Sequence, residues 1–91
     1  MSRQVYSSLK LFKVCATVQH EDWNGEVYNR PIECDCWAND AAEARKLVLE
    51  YRFDDYKGMD FVGVTVDTVV FMSDSIEDNE PPAMTNWEYT V

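Results

Sequence analysis

The sequence predicts an α+β fold, a single domain in the order β-β-α-β-β, with an antiparallel sheet and one helix packed across one of its faces. Three observations carry this expectation. Leu9 to Gln19 and Ile32 to Ala38 alternate apolar and polar residues, the period of two of a strand covered on one side. From Ala41 the period changes to that of an amphipathic helix. Phe61 to Met72 is rich in β-branched residues, and Thr85 to Val91 alternates again, which supplies two more strands.

Met1 to Ser8 is mostly polar and reads as a loose lead-in. In the first strand Phe12, Val14, Ala16 and Val18 face one way, and Lys13, Cys15, Thr17 and Gln19 the other. Asn24-Gly25 provides the positive φ angles of a tight hairpin turn, with Trp23 at its tip. Pro31 cannot donate to a ladder, so the second strand should be an edge there or carry a bulge. In that strand Ile32, Cys34, Cys36 and Ala38 share a face, and Glu33, Asp35 and Trp37 take the opposite one.

The helix begins at Asn39 or Asp40, either of which can cap its first turn, with Asp40 and Glu43 at the spacing of a capping box, and should run to Lys57, with Gly58 as a left-handed stop. At 100° per residue, Ala44, Leu47, Val48 and Tyr51 fall on the face that covers the sheet. Glu43, Glu50 and Asp54 form a nearly opposite stripe. Leu49, Phe53 and Tyr56 make a second apolar strip, covered by a terminal segment or exposed as a contact patch. Phe61 to Met72 is long enough for a central strand, with Val62, Val64 and Val66 on one face. Ser73 to Pro82 holds Asp74, Glu77, Asp78 and Glu80 with no basic residue and reads as a solvated acidic loop.

Ninety-one residues, 46% hydrophobic, suffice for one core. No stretch approaches the ~20 apolar residues that span a bilayer, and the start lacks the pattern of a signal peptide. Three cysteines, an odd number, suit a reducing compartment, so the expected location is cytoplasmic. Seventeen acidic against eight basic residues give a formal charge of −9, which opposes direct binding to nucleic acid and favours a basic protein surface. The same excess also keeps a small protein soluble.

No catalytic pattern emerges. Cys15, Cys34, Cys36 and His20 are four potential zinc ligands, but Cys34 and Cys36 sit in a predicted strand and Cys15 on its opposite face, so the cysteines read as core and no metal or cofactor is expected. His20, the sole histidine, falls in a predicted hairpin loop and reads as surface. Gly25, Gly58 and Gly63 are isolated and form no phosphate loop.

The remaining constellation is acidic. It comprises the helix stripe Glu43, Glu50 and Asp54 extended by Asp55 and Asp60, the loop acids Asp74, Glu77, Asp78 and Glu80, and the sheet-face pair Glu33 and Asp35. Carboxylates spaced along a rigid element can imitate a row of phosphates, with Trp23 beside them as an aromatic anchor. In length, acidity and these patches the chain resembles the small phage-encoded inhibitors of host defence, including anti-CRISPR proteins and DNA mimics. The resemblance implies a non-enzymatic protein that blocks the basic nucleic-acid-binding groove of a nucleic-acid-processing complex. The alternative expectation is an assembly module, a possible homodimer, that docks through the Leu49, Phe53 and Tyr56 strip or a sheet edge.

Overall fold

A computed structural model describes residues 9–74 and 81–90. Its elements are β1 (Lys10–Glu21), β2 (Val27–Ala38), α1 (Ala41–Leu49), β3 (Asp60–Ser73) and β4 (Ala83–Tyr89), the order expected from the sequence. All four strands form one antiparallel sheet, β3-β1-β2-β4. The core lies between one face of that sheet and the helix. It takes Phe12, Val14, Ala16 and Val18 from β1 and Ile32, Cys34, Cys36 and Ala38 from β2, all buried as the alternation requires. From the helix, Ala44 and Val48 close over them.

Local chemistry sets the turns. At the β1–β2 hairpin Asp22 Oδ1 accepts from the backbone N–H groups of Asn24 and Glu26, each at 2.9 Å, and Gly25 takes a φ of 85°. Pro31 sits where the β4 ladder ends. Its carbonyl points towards β4 and accepts from the Thr90 N–H at 3.0 Å, so its missing donor lies on that side and the β1 ladder is untouched. The capping box forms reciprocally: Asp40 Oδ1 accepts from the Glu43 N–H at 2.8 Å, and Glu43 Oε1 accepts from the Asn39 N–H at 2.8 Å.

The helix stops at Leu49, more than two turns before the expected end at Lys57. Beyond it the chain crosses the sheet as an irregular flap. Phe53 is the reason: it is fully buried, with its ring 4.7 Å from Tyr51, 5.0 Å from Trp87 and 5.8 Å from Phe61. A continued helix would have to pull Phe53 out of this nest, and aromatic and Asp residues give the helix little intrinsic support. The apolar strip of Leu49, Phe53 and Tyr56 therefore does not exist as a helix surface, and Tyr51 is not on the helix at all. Gly58 does take a positive φ, 82°, but with Lys57 at 49° it forms a two-residue turn whose flanks, Tyr56 and Met59, exchange both backbone hydrogen bonds at 2.9 Å.

Two further expectations change. β3 is an edge strand rather than a central one, because β1 and β2 take the middle of the sheet. Its pairing with β1 slips three times, placing Val62, Asp67 and Met72 as extra residues opposite a regular β1. The slips break the alternation, so Val66 is buried and Val62 is exposed although both are even-numbered. β1 also runs past Gln19 and carries His20 into the core, where it is fully buried instead of lying on a loop surface.

Candidate functional site

The sheet leaves one face uncovered, and register decides what that face displays. On it β1 places Lys13, Cys15, Thr17 and Glu21, and β2 places Glu33, Asp35 and Trp37. On the outer strands Glu88 lies opposite Glu33, and Asp60 lies opposite Glu21. Asp67, the extra residue of the middle slip, turns to the same face, where its Oδ2 accepts from Thr17 Oγ1 at 2.8 Å. Glu21, Glu33, Asp35, Asp60, Asp67 and Glu88 thus share one surface, and Lys13 is the one basic side chain among the described residues there.

The ammonium of Lys13 is spent locally, 3.4 Å from Glu33 Oε1 with both side chains 40% exposed, and offsets only part of the field. Around this pair is a shallow cavity of about 390 Å³ lined by Lys13, Glu33, Asp35, Asn86 and Glu88. Like charges opposite one another, Glu33 with Glu88 and Glu21 with Asp60, disfavour the folded state. Such an arrangement is tolerable where solvent screens it, and Glu21, Asp60 and Glu88 are exposed.

The helix side is balanced instead. Arg45, Lys46, Arg52 and Lys57 lie on the helix and flap, among the acids expected to form a stripe. Glu43 is used in the capping box. Glu50 caps the helix and pairs with Lys46 at 3.9 Å. Asp54 and Asp55 are on the flap, not the helix. Asp55 accepts from the Phe61 N–H at 2.9 Å and meets Arg52 at 3.5 Å, and these contacts, the amide first, hold its carboxyl below the ordinary range. The expected stripe of Glu43, Glu50 and Asp54 is therefore broken up, because the helix that would have aligned it ends too soon.

Of the other candidates, Asp60 joins Glu33 and Asp35, though through β3 and not as an extension of the helix. Asp74 is exposed just after β3, and Glu77, Asp78 and Glu80 lie outside the described residues. Trp23 stands at the hairpin tip, 90% exposed. Asp22 beneath it accepts backbone N–H bonds and the Tyr28 hydroxyl at 3.1 Å, and the Glu26 amide above all holds its carboxyl below the ordinary range. Glu21, Asp67 and Glu88 were missed as site residues. Strand alternation carried the signal for all three: it sets Asp67 on the open face with Thr65, and the slip at Asp67 changes the facing only of the residues after it.

Every acidic side chain among the described residues is half-buried or exposed, so none has the apolar pocket that makes a carboxyl a general acid. Cys34 and Cys36 point into the core while Cys15 takes the open face. The Cys34 thiol, hydrogen-bonded to the Cys36 thiol and buried, is pushed far above its ordinary value, which keeps it protonated and unreactive. Among the described residues no three His, Cys, Asp or Glu side chains converge to hold a metal ion. His20 Nε2 lies 2.9 Å from the Asp54 carbonyl and so carries the proton, tying the flap to β1, while its Nδ1 has no hydrogen-bond partner. No described helix is long and apolar enough to cross a membrane. Compared with protein-family models, with curated proteins and with solved structures, the chain matches none.

Proposed function

We propose that this chain is a non-enzymatic binding protein, an inhibitor whose open sheet face fills the basic nucleic-acid-binding groove of a partner complex. One observation carries the reading. Among the described residues the acidic excess is concentrated: six carboxylates and a single lysine share one face of the sheet, while the helix side is charge-balanced.

A sheet is a good scaffold for such a pattern. Neighbouring strands lie about 4.8 Å apart, and same-face residues along a strand recur about every 6.7 Å, so the carboxylates are held at spacings of the same order as phosphates on a nucleic-acid strand. Along β1 the acids run from the Lys13 level, beside Asp35, to Glu21, roughly 27 Å at strand rise. Groups fixed in this way need no ordering when they bind, which lowers the entropic cost of association. Trp23, projecting from the end of the same hairpin, offers a large apolar contact at the rim. In this reading the protein acts in the cytoplasm, is of the kind phages direct against host defence complexes, and needs no cofactor.

The test is capture from a bacterial lysate with the tagged protein, elution in a salt gradient and identification of what is released. A nucleic-acid-processing complex that elutes as salt rises, with its nucleic acid displaced, is the expected outcome. A partner indifferent to salt would count against the reading.

A further inference from the structure

The outer edge of β3 carries a second surface. Of the exposed large hydrophobic residues, Leu49, Tyr51 and Val62 border the groove at the outer edge of β3, while Val70, on the open face opposite Lys13, and Phe71, on the core face against Phe12, lie farther along the strand. β3 pairs with β1 alone, so its other edge presents backbone N–H and C=O groups, and among the described residues only the Phe61 N–H is taken, by Asp55. Next to that edge a groove of about 590 Å³ opens between the flap and the strand, with Leu49, Tyr51, Val62 and Val64 on its walls. An open edge beside a groove for side chains is the arrangement that binds extended peptides by strand addition.

We infer that β3 accepts an extended, basic segment of the partner protein as an added strand, with an aliphatic side chain in the groove. This rests on the proposed basic partner and assigns a second point of attachment to it. Charge selects the occupant. β3 contains Asp60 and Asp67 and no basic residue, and Glu50 stands at the groove. Arg52, also on the groove wall, is neutralised by Asp55 at 3.5 Å and donates to the Phe53 carbonyl at 2.8 Å. A second copy of the chain fits badly: it would bring a charge of −9 against −9 and set Asp67, near the middle of β3, against its own mate across a two-fold axis. The slips at Val62 and Asp67 limit the regular edge to the residues between them, so the added strand is short.

Asp60 and Asp67 are seven residues apart, but the extra residue Val62 takes one step out of the ladder and leaves six, about 20 Å along a strand, which sets the probe. It is a capped seven-residue peptide with lysine at both ends and alternating valine and threonine between. The control is the same peptide N-methylated at its three central amides, equal in charge but unable to extend a sheet. Binding is followed by amide chemical shifts of the full chain at low salt. Expected are shifts along β3, at least tenfold weaker binding of the methylated peptide, a tenfold loss in Val62→Lys, and less than threefold change in Glu88→Lys. Circular dichroism confirms that both variants fold. Equal binding of the two peptides, or loss in Glu88→Lys but not in Val62→Lys, would overturn strand addition while leaving the acidic-face reading in place. Failure of either peptide to bind at millimolar concentration, or sedimentation as a dimer, would overturn it as well. Failure of the acidic-face reading shows separately, as lysate capture that salt does not weaken.

Discussion

Phe53 separates a buried keystone from a contact patch, and truncating it tells which it is. The side chain is fully buried, and its ring contacts Tyr51, Trp87 and Phe61 at 4.7, 5.0 and 5.8 Å. Removing such a ring costs about 3–5 kcal/mol, through lost transfer free energy and the cavity left behind. Aromatic pairs of this geometry each add about 0.5–1.5 kcal/mol, partly included in that range. For Phe53→Ala we expect a loss of about 4 kcal/mol, a large part of the roughly 5–15 kcal/mol available to a small domain. At about 4–8 °C per kcal/mol, the melting temperature should fall by about 15–30 °C. Urea titration followed by tryptophan fluorescence measures it directly, since Trp87 packs on the ring. A loss below about 1 kcal/mol would mean that Phe53 is exposed as on a continued helix, and the flap would be wrong.

Two other perturbations probe the turns. Gly58 has a φ of 82° and open space where a Cβ would go, so Gly58→Ala should cost about 1–2 kcal/mol from backbone strain alone; a neutral result in thermal melts would remove the two-residue turn. Asp22 has a carboxyl held below its ordinary value of 3.8 by the Glu26 amide first and then by Tyr28 and the other turn donors. Its contribution to stability is therefore complete above that value and disappears as pH falls through the lower folded value. Acid titrations of the parent and of Asp22→Asn should diverge in that window, the parent losing stability and the variant less; superimposable curves would show that the turn does not depend on the charge.

The strands were legible where one face is covered and the chain is regular. Phe12 to Val18 and Ile32 to Ala38 each bury every second residue, so alternation revealed both strand and face. The capping box at Asp40 and Glu43 was equally plain, since it depends on residues three apart. What followed was not legible, because Leu49, Phe53 and Tyr56 recur at a spacing that suits a helix as well as a flap. Only the partners of Phe53, Phe61 and Trp87, distant in sequence, decide between the two. The slips in β3 were hidden for a similar reason: Val62 and Val66 look equivalent until β1 is laid beside them. The site divides along the same line. Glu33 and Asp35 were readable from one strand, Asp60 was named but attached to the wrong element, and Glu43, Glu50, Asp54 and Asp55 lost their common face when the helix ended. Glu21, Asp67 and Glu88 come together only through cross-strand pairing.

The acidic face is tested most directly by charge reversal in the lysate capture. Glu33→Lys with Glu88→Lys converts the centre of the open face, and Glu50→Lys with Asp54→Lys makes the same change of charge on the balanced side. We expect the first pair to abolish capture of the nucleic-acid-processing partner, and the second to retain it with only a modest shift in the eluting salt concentration. Equal loss in both would mean that net charge alone matters. Retention by the first and loss by the second would place the binding surface on the helix side and contradict the open-face assignment.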